Sequence, residues 1–236
     1  MKEKASISYN KLRQTIGWLG ILLPIIVYLD TLWVGDCGRL QDSISHYYYT
    51  VANSFFVGIL WGLGLVLLFY PSYKNDSKLD GILTNIAGVL SICVSLFPTT
   101  PINDGSCAVF SWSDNTLREV IHFASAGIML AIFYYMSIFI FTKTYAGNDL
   151  KGAENRWKRN RNLLYKINGI LTMLSIAFIG IIAYFKLPVT RNYTFWLEVT
   201  ALLPFGISWI VKGGFIMTDT DEESSMQFIS RKMTQK

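Results

Sequence analysis

The run Asp42-Ser43-Ile44-Ser45-His46-Tyr47-Tyr48-Tyr49-Thr50 leads directly into Val51-Ala52-Asn53-Ser54-Phe55-Phe56-Val57-Gly58-Ile59-Leu60-Trp61-Gly62-Leu63-Gly64-Leu65-Val66-Leu67-Leu68-Phe69-Tyr70. The second stretch has no charged side chain. It is long enough to cross a bilayer, whose ~30 Å core takes about 20 helical residues. The first stretch is polar and aromatic and holds one of the two histidines in the chain. A polar rim joined to a spanning helix is the unit from which the rest is read.

Working outward, five more apolar runs of similar length appear. Span one covers residues 15–34 and contains Pro24, which a bundled helix can absorb as a kink. Span two is the stretch quoted above, with Gly58, Gly62 and Gly64 expected at close helix contacts. Span three covers 81–97 and stops at Pro98-Thr99-Thr100-Pro101. Spans four, five and six cover 120–142, 163–185 and 194–211. No period-two alternation is sustained, which argues against a β-barrel. The expected fold is all-α: a polytopic bundle of six transmembrane helices. Residues 1–14 form a polar N-terminus, 15–213 the membrane domain and 214–236 a C-terminal tail.

Composition agrees. Charged residues make up 16% of the chain, against about 25% in soluble domains. The net charge of +5 does not point to nucleic acid, because the basic residues fall in loops between apolar runs, as membrane topology requires. The first run lacks an Ala-x-Ala cleavage pattern and reads as a retained helix. The basic N-terminus, the Lys74/Lys78 turn and the Lys143–Lys166 segment all lie on one side of the membrane. By the positive-inside rule both termini are cytoplasmic. The expected location is the inner, or plasma, membrane, with membrane lipids as neighbours and a homo-oligomer or membrane protein as a further partner.

That topology gathers distant residues at the extracytoplasmic end. Cys37 and Cys107 lie in two different outer loops, in an oxidising compartment, so a disulfide is expected between them. His46 and Asn53 are placed at the opening of span two. Glu119 and His122 open span four, three residues apart on one helical face. Glu198 lies within span six, where a carboxylate must face the bundle and find a partner. Ser43, His46, Asp104, Glu119, His122 and Glu198 are the candidate catalytic set. Asp42, Ser45, Asn53 and Arg118 are candidate ligand contacts, with Arg118 expected to pair with one of the acids. Such a set has three uses. It can be a hydrogen-bond network tying helix ends together. Two imidazoles with carboxylates suit zinc or another divalent cation, whose bound water would attack a lipid ester or amide. Or a histidine acts as general base towards Ser43 or Ser45. Tyr47-Tyr48-Tyr49 is expected to be interfacial or packing, and Trp209 to anchor the inner interface.

Ser43-Ile44-Ser45-His46, Phe56-Val57-Gly58, Leu96-Phe97-Pro98-Thr99, His122-Phe123-Ala124-Ser125-Ala126, and Glu198 followed by Phe205-Gly206-Ile207-Ser208-Trp209 carry a resemblance. Over residues 15–213 the chain resembles a family of uncharacterised bacterial six-helix membrane proteins. That family is similar in layout to the DRAM/Frag/Sfk-like proteins, which carry Ile-Ser after helix one and His-Phe/Tyr-x-x-Ala opening helix four. The resemblance implies the six-helix fold and a bacterial membrane, and it implies no chemistry. A looser similarity is to the CREST membrane hydrolases, which place a Ser, an Asp and three His around a metal. This chain has only two His, so no metal ligand is carried over and no cofactor is assigned.

The functional expectation is an integral membrane protein with an outward polar pocket for a lipid, small ligand or partner. The alternatives are a lipid-processing hydrolase, metal-dependent or not, and an oligomeric channel, transporter or membrane-perturbing effector. Under reduction, a membrane-impermeant maleimide added outside should label both Cys37 and Cys107; labelling of the two from opposite faces would break the topology.

Overall fold

A computed structural model describes residues 2–71, 78–100, 107–143 and 156–217. Among these there is no strand. Six α-helices follow one another: α1 (Lys2–Trp33), α2 (Asn53–Leu68), α3 (Lys78–Leu96), α4 (Thr116–Tyr135), α5 (Arg156–Phe185) and α6 (Tyr193–Lys212). A 3-10 helix, Ile44–Tyr49, precedes α2, and a π-helical turn, Met136–Ile140, extends α4. Five of the helices, all but α2, are long and apolar enough to cross a membrane. The sixth, α2, has 16 residues. That is about 24 Å of helix at 1.5 Å per residue, shorter than the apolar stretch that contains it, because Val51 and Ala52 are spent in the turn leaving the 3-10 helix and Phe69 and Tyr70 lie beyond its last turn. Helix α1 starts well before the apolar run, so the polar N-terminus continues the same helix. Pro24 sits inside α1 without interrupting it.

The clearest sign of a lipid environment is α5, which is built inside out. Tyr165, Asn168, Thr172 and Ser175 are buried, while Leu163, Ile167, Ile170, Leu174, Phe178 and Ile181 are exposed. Both sets repeat every three or four residues, so they are opposite faces of one helix. In water that arrangement would expose a long apolar stripe. In a bilayer the stripe meets acyl chains and the polar face satisfies itself against neighbouring helices. Thr172 donates to the Ala201 carbonyl at 3.1 Å, Asn168 donates to Ser208 Oγ at 3.1 Å, and Ser175 and Thr200 share a hydrogen bond of 2.8 Å. Ser137 donates to the Tyr165 carbonyl at 2.8 Å, which brings the end of α4 onto the same seam.

Two crossings depend on glycine. A Cβ added to Gly206 would lie 2.6 Å from the Gly17 carbonyl oxygen, and one on Gly17 would lie 2.6 Å from that of Gly206. Here α1 and α6 touch backbone to backbone. Gly64 and Gly88 do the same for α2 and α3, at 2.8 and 2.7 Å. The expectation for span two holds at Gly64 only. A Cβ on Gly58 would meet nothing within 4 Å, and one on Gly62 would meet only Leu19, at 3.8 Å. Trp209 also departs from its expected role. It is fully buried, ringed by Tyr70, Phe141 and Phe205, so it is a core residue rather than an interfacial anchor. Beside it, Arg13 donates to Tyr70 Oη at 2.7 Å and to the Lys212 carbonyl at 3.3 Å, tying α1, α2 and α6 together.

At the other end, Cys37 and Cys107 form a disulfide with Cα atoms 6.0 Å apart. It joins the loop after α1 to the loop after α3. Gly206→Val should lower stability by about 1–3 kcal/mol, the usual cost of overpacking a close contact. Gly58→Val should stay within about 0.5 kcal/mol of the parent. Unfolding midpoints in mild detergent check both; equal loss at the two positions would contradict the crossing.

Candidate functional site

The 3-10 helix Ile44–Tyr49 is folded into the disulfide end of the bundle. Ile44, Ser45, Tyr47 and Tyr49 are buried. His46 therefore does not open α2, as its sequence position suggests; it belongs to this separate insert. Of the tyrosines, Tyr47 and Tyr49 are packing residues, with 0% and 2% exposure.

Backbone groups of such a buried turn need partners, and the surrounding helices supply them. Phe195 N–H, at the start of α6, donates to the Asp42 carbonyl at 2.9 Å. Asn192 donates to the Leu40 carbonyl at 2.8 Å. Glu198 Oε2 accepts from the Ile44 N–H at 2.5 Å, a carboxylate at the amino end of the turn. Asn53 donates back to the Tyr48 carbonyl at 2.5 Å. Tyr49 donates to the Thr99 carbonyl, beyond the end of α3. The Val109 N–H donates to the Tyr49 carbonyl at 2.8 Å, next to the disulfide.

Both histidines serve the same turn, each through a serine. Ser45 Oγ lies 2.9 Å from His122 Nε2. His122 Nδ1 lies 2.8 Å from the Phe97 carbonyl oxygen and 3.1 Å from that of Val94. Carbonyl oxygens only accept, so Nδ1 carries the ring proton and Nε2 is the free lone pair. Ser45 must then donate its hydroxyl proton to Nε2. His122 is 1% exposed and Ser45 9%. A buried serine hydroxyl on the free nitrogen of an imidazole whose other nitrogen is held by an acceptor is a nucleophile–base pair in form. Here backbone carbonyls occupy the orienting position that a carboxylate often takes.

The second pair is Ser43 and His46. The His46 N–H donates to Ser43 Oγ at 3.2 Å, and that hydroxyl lies 2.8 Å from His46 Nδ1. Burial pushes the His46 imidazole down to about 4; Asp42 pulls it up, the His122 ring pushes it further down, and the Thr100 carbonyl pulls it up. Asp42 also pairs with Arg191 at 3.4 Å. Thr99, whose carbonyl accepts from Tyr49, is 3% exposed, and its hydroxyl has no hydrogen-bond partner among the described residues.

Some expected members sit elsewhere. Arg118 bonds no acid among the described residues: it donates to the Pro98 carbonyl at 3.2 Å and the Ser113 carbonyl at 2.8 Å, and lies over the Trp112 ring. Its guanidinium serves loop carbonyls, one just after α3 and one just before α4. Glu119 is half-buried in the first turn of α4, while His122 turns fully inward, so the pair does not act together. Asp104 lies outside the described residues. Among the described residues no three His, Cys, Asp or Glu side chains gather as metal ligands. The partners the sequence reading missed are Thr99 and the carbonyls of Val94, Phe97 and Thr100. The helix-stopping Pro98-Thr99-Thr100-Pro101 was the available signal, since a stopped helix leaves carbonyls open.

No known protein family, curated protein or solved structure matches this chain.

Because the folded site resists charging His46, its stabilising contribution is full above pH ~6.5 and is lost as pH falls towards about 4. Each tenfold loss of proton affinity is worth ~1.4 kcal/mol, so the whole effect is at most about 3 kcal/mol. The unfolding midpoint in detergent should fall between pH 7 and pH 4.5, and His46→Asn should shrink that fall. An unchanged pH profile in the variant would show that His46 is not the titrating group.

Proposed function

We propose that this chain is an integral membrane protein with six spans and both termini in the cytoplasm. In this reading α2 completes its crossing with the turn at either end, and the site built on Ile44–Tyr49 faces the extracytoplasmic side. The location that fits is a bacterial inner membrane, as the sequence resemblance implies. We infer that the site binds the polar head of a membrane lipid or a small polar ligand.

One observation carries the reading. Two imidazoles and the Glu198 carboxylate converge on a single turn at the end of an apolar bundle, and the backbone of Thr99, whose hydroxyl has no partner among the described residues, meets the same turn through Tyr49. Ionisable groups at membrane depth are costly and are functional-site candidates by default. A buried hydroxyl left open by the described residues asks for a partner.

A second reading, a lipid-processing hydrolase, is favoured by a different observation: the Ser45 hydroxyl rests on the lone-pair nitrogen of His122.

Native mass spectrometry of the detergent-extracted protein, with phosphatidylglycerol and phosphatidylethanolamine added, tests the binding reading. The parent should retain one lipid at activation energies that strip bulk detergent. Thr99→Val and Glu198→Gln should retain it at least about tenfold less, a loss worth ~1.4 kcal/mol. Equal retention in parent and variants would refute the site.

A further inference from the structure

We propose that Ser45 is an acyl-accepting nucleophile, with His122 as its general base, and that the substrate class is a glycerolipid ester whose acyl chain lies along the α3–α4 seam. The proposal rests on the hydrolase reading above and names its residues and its substrate.

The first support is the fixed tautomer. The Phe97 and Val94 carbonyls hold the proton on Nδ1, leaving Nε2 to accept from Ser45. Generic packing of a histidine needs no such polarity. Here the ring is committed to taking a proton from one particular hydroxyl, and general-base assistance of this kind contributes about 10²–10⁴-fold.

The second support is an apolar groove of about 320 Å³ between α3 and α4, lined by Leu79, Leu83, Ile128, Ala131, Ile132 and Tyr135. It opens sideways, since Leu79, Ile128 and Tyr135 are exposed on the bundle flank. In a membrane that flank faces lipid tails. On α3, Leu79, Leu83, Leu90 and Val94 are spaced by four, seven and four residues and so form one stripe. That stripe leads from the groove to the carbonyls that hold His122. From Val94 to Leu83 the helix axis covers about 16 Å at 1.5 Å per residue. One leaflet of a ~30 Å hydrocarbon core has about that depth. A chain of that length anchored by its ester carbonyl at Ser45 would therefore run along this stripe and bring its far end to the groove. No water-soluble substrate makes use of a groove that opens into lipid.

The chemistry closes. Ser45 Oγ attacks the ester carbonyl carbon while its proton passes to His122 Nε2. The tetrahedral adduct collapses, the C–O bond to the glycerol oxygen breaks, and His122 returns the proton to that oxygen. The acyl group is left as an ester on Ser45. Water from the aqueous face, deprotonated by His122, then cleaves this ester, releasing a fatty acid and restoring the serine.

The test uses the full-length protein in mild detergent and two alkyl fluorophosphonates, one with an ethyl and one with a hexadecyl chain. Attack by Ser45 on phosphorus expels fluoride, leaving a stable adduct readable by intact mass and peptide mapping. The parent should form one adduct, on Ser45. Ser45→Ala should abolish it, and His122→Gln should slow it at least about 100-fold. Ala131→Trp, which fills the groove from its exposed side, should slow the hexadecyl probe but not the ethyl one. Unfolding midpoints confirm that each variant is folded. No adduct on folded parent protein, or an adduct that survives Ser45→Ala, would overturn the proposal. Equal slowing of both probes by Ala131→Trp would overturn the acyl-groove assignment. Lipid retention without any adduct would leave the binding reading standing and remove this one alone.

Discussion

The hydrogen bond from Ser45 to His122 Nε2, 2.9 Å long and buried, is where the constraints of the molecule meet. A bilayer offers no water to a polar group, so every hydroxyl, imidazole and open carbonyl at membrane depth must be answered from within. At this point one imidazole answers three groups at once: a serine from the inserted turn and two carbonyls near the end of α3. It links the inserted turn, the end of α3 and the inward face of α4.

The same rule explains the rest of the polar interior. Along α5 and α6, Ser137, Asn168, Thr172, Ser175, Thr200 and Ser208 satisfy one another or a neighbouring carbonyl. Such bonds are worth only modest energy individually. Their effect is register: a hydroxyl facing lipid would go unanswered, so the polar face of α5 has one stable orientation. Where backbones come closest, at Gly17 and Gly206, dispersion replaces hydrogen bonding as the binding force, and only the absence of a side chain permits it.

The disulfide end differs from this interior in one respect. The α5–α6 seam uses neutral groups that can only hold. The Ile44–Tyr49 turn uses groups that can change protonation, His46 and His122, with Asp42 and Arg191 forming an ion pair at its edge. Tying a titratable turn to a disulfide and to three helices gives a rigid frame around reactive groups, which is how binding and catalytic constellations are held in place.

From the residues alone, the apolar runs determined the helices. Charge-free stretches of spanning length have no other stable form in lipid, and the Pro-Thr-Thr-Pro stop marked where α3 ends. The pairing of Cys37 with Cys107 was legible because topology put both on one side. The glycine crossings were legible only in part: of the three glycines in span two, Gly64 makes a close contact and Gly58 and Gly62 do not, since which face of a uniformly apolar helix turns inward is not written in its hydropathy. Tertiary structure alone decided that His46 sits on a separate turn, that Arg118 serves carbonyls instead of acids, and that Ser45 belongs to His122. Those choices depend on where the ends of other helices leave backbone carbonyls open. A Pro-rich stop marks where carbonyls open, but which side chain answers them is decided only when the helices pack.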